Sequence, residues 1–190
     1  MTAETMFATM NTDSFVIALL GGVLLMAAIY DHRSHRIPNL LTYPTMVIGL
    51  AYHCLTSGLD GFLFSAGGLA LGIGIFVFPY LIGAMGAGDT KLMGAVGSVL
   101  GPKGVFIAFL FSAVVGGIYA LILLIIKHEY GKEFIGKCGT ILKAFIYTRQ
   151  FVSLPASKKE EGPKLPYGIA IALGTLFYVF LELSGYEFLI

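Results

Sequence analysis

The chain has 190 residues, of which 57% are hydrophobic and only 12% charged, and its mean hydropathy is +0.86. A soluble domain carries roughly 25% charged residues, so this chain has too few polar side chains to cover its surface in water, and its natural solvent is a bilayer. The net charge is +1, with no basic stripe interleaved with aromatics, so no nucleic-acid partner is expected.

Residues 1–13 contain Glu4 and Asp13 but no Lys or Arg. A cleaved signal peptide needs a basic leading region, so the first apolar run is expected to remain in the mature protein. Cys54 and Cys138 form no CxxC pair and suggest neither a zinc knuckle nor a disulfide framework.

Apolar runs long enough for a membrane helix (about 17–25 residues) fall at residues 14–30, 39–56, 62–83, 104–126 and 167–183. A sixth, at 84–100, is marginal, being rich in glycine and carrying Asp89 and Lys91. Short turn-like connections at 57–61 and 101–103 fit helical hairpins. Barrel strands would alternate apolar and polar residues, whereas these runs are continuous. The expectation is an all-α polytopic membrane protein of about six transmembrane helices, forming a single domain over residues 1–190.

Six spans impose a sidedness. Of the 12 Lys and Arg, Arg33, Arg36, Lys127, Lys132, Lys137, Lys143, Arg149, Lys158, Lys159 and Lys164 fall in the loops after spans one, three and five. Lys103 falls on the other side and Lys91 at the boundary. Because basic loops stay in the cytoplasm, the first side is the cytoplasmic one. In the long connection after span five, Phe134, Cys138, Ile141, Leu142, Phe145 and Ile146 recur at helical spacing among lysines. That pattern suits a cytoplasmic amphipathic helix on the membrane surface, or equally a soluble helix packed on the other loops.

Asp13 and Asp60 fall outside the spans, where a solvated acid needs no explanation. Asp31 and Asp89 close and open apolar runs, and parity places both on the cytoplasmic side. A single Asp at a helix end is ordinarily a cap or a solvated stop, yet acids at membrane depth are costly unless paired or hydrated. Gly86 and Gly88 precede Asp89 and let another chain approach closely. From Asp89 to Gly101 is about 18 Å of helix, short of the roughly 30 Å hydrocarbon core, so the acid sits in a thin or wet part of the bundle. Two carboxylates sharing one proton can hydrolyse a peptide without metal or cofactor, and neither is called for here.

Other polar residues have bland readings. Lys91 is expected to snorkel to the interface, and His32 and His35 lack a carboxylate at metal-ligand spacing. His53 is expected to bond between helices. The pairs Gly21-Gly22, Gly67-Gly68 and Gly116-Gly117 are expected to mark close helix packing. Pro38 and Asn39 fit a turn into span two that would hold Asp31 in place.

Gly86-Ala87-Gly88-Asp89-Thr90-Lys91-Leu92 resembles the GxGDxKL motif of type IV prepilin and preflagellin peptidases. The segment from Asp31 through Ile37-Pro38-Asn39 to Thr42 is similar to their first-aspartate motif, and Leu165-Pro166-Tyr167-Gly168 to the proline-glycine segment opening their last span. The resemblance implies an aspartic-type endopeptidase that removes the basic leader of a prepilin-like substrate at the cytoplasmic face of the inner membrane. Asp31 and Asp89 are then catalytic, with Gly86, Gly88, Lys91, Pro38, Asn39, Pro166 and Gly168 supporting them. The long members of the family carry CxxC motifs ahead of the first aspartate and methylate the product. With 30 residues before Asp31 and no CxxC, the expectation is the short form, which cleaves without methylating. The expected partners are a prepilin and membrane lipid, and the sequence sets no oligomeric state. The competing readings are a small proton-coupled transporter using the two acids as a relay, and an inactive assembly factor.

Overall fold

A computed structural model describes residues 3–81, 85–126 and 167–184, and every regular element in them is α-helical. We number these α1 (Ala3–Ser34), α2 (Asn39–Leu81), α3 (Ala87–Ile126) and α4 (Tyr167–Leu183). Three stretches, Phe15–Ser34, Asn39–Leu81 and Ala87–Ile122, are long and apolar enough to cross a membrane, and Tyr167–Leu183 is a shorter apolar helix. The chain is an integral membrane protein, in which helices satisfy their own backbone where water is absent. The expected amphipathic helix, within 127–164, lies outside the described residues.

α1 ends where His35 takes φ 48° and its amide donates to the Asp31 carbonyl at 2.9 Å. This is a left-handed helix stop, one bond reaching back four residues. Pro38 then prevents any continuation.

α2 contains 43 residues, about 65 Å if straight, or twice a hydrocarbon core. It is not straight. Gly58 adopts φ 61°, ψ −135°, a conformation open to glycine, and the chain doubles back. A methyl on Gly61 would strike the carbonyl of His53, eight residues earlier and about 12 Å away along a continuous helix. The packing partners confirm the reversal. Met46 and Gly49, on the first limb, meet Gly94 and Ser98; Gly68 and Gly72, on the second, meet Gly97 and Met93. One limb therefore runs with the start of α3 and the other against it.

α3 reverses likewise at Gly101 (φ 70°, ψ −176°), where a Cβ would enter the ring of Phe64. Beyond it, Gly104 approaches Tyr178, the Ser112 backbone meets Gly174, and Gly116 lies against Ala170, so α4 runs against this limb. α4 also packs against α1, bringing Leu176 to Gly21 at 3.9 Å. The end of α1 and the starts of α2, α3 and α4 consequently gather at one end of the bundle, with the turns at Gly58 and Gly101 at the other.

The core between these helices contains Leu20, Leu24, Leu92, Met93, Val96, Val105 and Ile171, all essentially inaccessible. Of the expected glycine pairs, Gly68 alone makes a very close approach; a Cβ on Gly22 or Gly117 would meet nothing within 4 Å. The tight seam is instead made by Gly49, Gly68, Gly72, Gly94, Gly97 and Gly174. Glycine doublets are visible in a sequence, but only helix rotation decides which member faces a neighbour. His53 Nε2 lies 2.9 Å from the Val99 carbonyl, the interhelical bond expected of it.

The chain divides into two compact units, Met1–Gly116 with Pro166–Ile190, and Gly117–Leu165. Asp31, Asp89 and Gly168 all belong to the first.

Candidate active site

Asp31 occupies the last turn of α1 and is 5% exposed. Its Oδ2 accepts a hydrogen bond of 2.8 Å from the backbone amide of Gly168, and the Ile169 amide lies within range of the carboxylate. Both amides belong to the first turn of α4, where backbone N–H groups have no intrahelical acceptor and attract an anion. A Cβ on residue 168 would lie 2.9 Å from Oδ2 and 3.0 Å from Cγ. Glycine is what allows the helix end to close on the acid.

Asp89 is 8% exposed in the first turn of α3. The expected alternative role for it, an N-cap, is taken by Gly86, whose carbonyl receives the amides of Asp89 (3.2 Å) and Thr90 (3.4 Å). Asp89 reaches back instead, its Oδ2 accepting the Gly86 amide at 3.1 Å, as the acid of a capping box does. Each carboxylate thus has one oxygen tied to a backbone N–H. The two acids lie close enough to act on each other electrostatically. His35 and His32 are within range of Asp31, and Tyr167 within range of Asp89.

The remaining expected residues, Pro166 apart, lie on the chain segments that flank this pair. Gly88 presses on the segment after α1: a Cβ there would sit 3.1 Å from the Ile37 Cβ and 3.3 Å from its amide nitrogen. The Pro38 carbonyl accepts the Leu41 amide at 3.0 Å, opening α2. Lys91 has a partner on α2. Its Nζ donates to Asn39 Oδ1 at 2.9 Å and lies 5.0 Å from the centroid of the Tyr43 ring. Pro166 lies outside the described residues. Asp60 is exposed near the Gly58 turn, at the opposite end of the bundle.

Three neighbours of the site were not singled out from the sequence: Ile37, Tyr43 and Tyr167. Tyr43 follows Asn39 by four residues, so it shares a helix face with it, and that spacing is a signal available in the sequence. Tyr167 opens the last apolar run beside Gly168. Nothing marks Ile37 beyond its place in the motif.

The profile of the type IV leader peptidase family matches residues 18–121, more than half of the chain and a stretch containing Asp31 and Asp89. The chain belongs to the type IV leader peptidase family. It is similar to the prepilin leader peptidase/N-methyltransferase of Vibrio cholerae serotype O1, with 33% identity over 113 residues, 56% of this chain and 45% of that relative. The chain thus spans less than half of the relative's length. No solved structure matches it. A leader peptidase must move protons at a scissile amide, and a pair of neighbouring carboxylates is chemically able to do so when one is charged and the other protonated.

Proposed function

We propose that this chain is a membrane aspartic endopeptidase that removes the basic leader from a prepilin-like protein, with Asp31 and Asp89 as its catalytic pair. The observation that carries the proposal is the convergence of these two buried acids, one closing α1 and one opening α3, each with one oxygen held by a backbone amide. The ionised carboxylate takes a proton from water as the oxygen attacks the scissile carbonyl, and the protonated one gives its proton to the carbonyl oxygen. Collapse of the tetrahedral species passes a proton to the departing amine and leaves the pair again sharing one. The pair titrates as a unit, so the roles belong to both residues.

In this proposal α2 and α3 each cross the membrane twice, making six crossings with α1 and α4. The reversals at Gly58 and Gly101 support that count. With six crossings, the sequence positions of ten of the 12 Lys and Arg would assign them to the side of Asp31 and Asp89, which supports a cytoplasmic active site. A substrate whose basic leader stays in the cytoplasm presents its cleavage bond at that face. Gly86, Gly88, Pro38, Asn39, Lys91 and Gly168 hold the two acids in register.

Co-expression with a candidate prepilin tests the reading. The intact chain is expected to release the leader, seen as a mobility shift, while Asp31→Asn and Asp89→Asn each abolish the shift and still insert in the membrane. Asp60→Asn is expected to cleave normally. Turnover by either of the first two variants removes that residue from the pair. Proton flux through reconstituted protein without cleavage would favour the relay reading.

A further inference from the structure

The two acids reach the site on helices that are not neighbours in sequence, so something must set their separation. Asp31 ends α1, and the chain from His35 to Asn39 leads directly into α2. Asp89 begins α3. Two contacts join these segments, one on either side of Asp89. Before it, the Gly88 backbone packs on Ile37. After it, the Lys91 ammonium donates to Asn39 Oδ1 at 2.9 Å and lies 5.0 Å from the Tyr43 ring centroid. Asn39 and Tyr43 are one turn apart on α2 and present two different attractions, a carbonyl dipole and an aromatic face, to a single cation.

The geometry points to Lys91 as a positioning residue: its ammonium, held by Asn39 and Tyr43, fixes how α3 is placed against the segment that follows Asp31, and so sets the spacing of the two carboxylates. Lys91 follows Asp89 by two residues, which puts their side chains on roughly opposite faces of the helix. The ammonium is therefore not an ion-pair partner of Asp89. The groups within electrostatic range of the acids are His32 and His35 for Asp31, and Asp31 for Asp89. Lys91 holds the helix, not the proton. A lysine suits this task because its flexible stem lets one compact charge reach both an amide oxygen and a ring.

The inference rests on the peptidase reading for its kinetic consequence but not for its geometric one, and two measurements separate them. In cleavage assays with purified full-length protein, Lys91→Met is expected to lower kcat by about 10–100-fold with KM within about twofold, as displacement of reacting groups does. The pH profile is expected to keep its shape, since no charge on the acids is removed. Lys91→Arg, which retains charge and donor, is expected to recover most of the rate, as is the exchange Asn39→Lys with Lys91→Asn. A shifted pH profile, or a Lys91→Arg variant as slow as Lys91→Met, would overturn the positioning role.

The second measurement needs no activity. With Cys54 and Cys138 changed to serine, Asp31→Cys and Asp89→Cys are joined by a short thiol-reactive cross-linker in membranes. Adding Lys91→Met is expected to reduce the cross-linked fraction several-fold, and adding Lys91→Arg to leave it unchanged. Equal cross-linking with and without Lys91→Met would overturn the inference even if the chain proves to be a peptidase. Loss of cross-linking in a chain that cleaves no prepilin would uphold the clamp and count against the peptidase reading alone.

Discussion

The backbone amide of Gly168 donates to the Asp31 carboxylate at 2.8 Å across 137 positions of chain. The bond joins the start of the last helix to the end of the first. It also explains why a glycine stands at 168, since the space a side chain would need is occupied by the carboxyl group it bonds.

Gly168→Ala should therefore act on the acid before it acts on the fold. The added methyl would sit 2.9–3.0 Å from Asp31 Oδ2, Cβ and Cγ, tighter than ordinary contact. We expect leader cleavage to fall at least about tenfold, because a displacement of less than 1 Å at reacting groups is enough for such a loss. Thermal unfolding in detergent should change by about 1–3 kcal/mol, the range for one surplus methyl in a packed site. A cleavage rate equal to that of the unchanged chain would show that this bond does not place the acid.

Gly97→Ala should be worse for stability than for chemistry. Gly97 and Gly68 each face the other's carbonyl so closely that a Cβ on either would strike it, and backbone cannot yield as a flexible side chain does. The expected loss is about 3 kcal/mol or more, read as reduced yield and a lower Tm. Gly22→Ala and Gly74→Ala, where a Cβ meets nothing within 4 Å, are the controls and should be neutral or slightly stabilising.

Thr175→Val should stabilise the protein. The Thr175 hydroxyl is fully buried and has no hydrogen-bond partner among the described residues, a situation that costs about 1–3 kcal/mol. Valine has nearly the same shape without the polar atom. A rise in Tm with unchanged cleavage is expected, and a fall in Tm would show that the hydroxyl is satisfied in the membrane.

Reporter fusions test the crossings. A reporter at Gly58 should signal the outer side and one at Arg36 the cytoplasm, since one limb of α2 separates them. Equal signals would rule out the six-crossing arrangement.

Composition determined that the chain belongs in a membrane, because a surface with so few charges is stable only in lipid, and the continuity of its apolar runs determined that it is helical. Its apolar lengths also placed the breaks: residues 57–61 and 101–103 enclose Gly58 and Gly101, and the last run, 167–183, coincides with α4. These are properties of short stretches of chain, and short stretches carry them. Tertiary structure decided what depends on two segments at once. Lys91 finds Asn39 across 52 positions and Gly168 finds Asp31 across 137, partners that no local periodicity encodes. The glycine seam follows the same logic. Which face of a helix meets its neighbour is set by how the limbs rotate as they pack, so Gly97 and Gly72 proved essential to close approach where Gly22 and Gly117 did not.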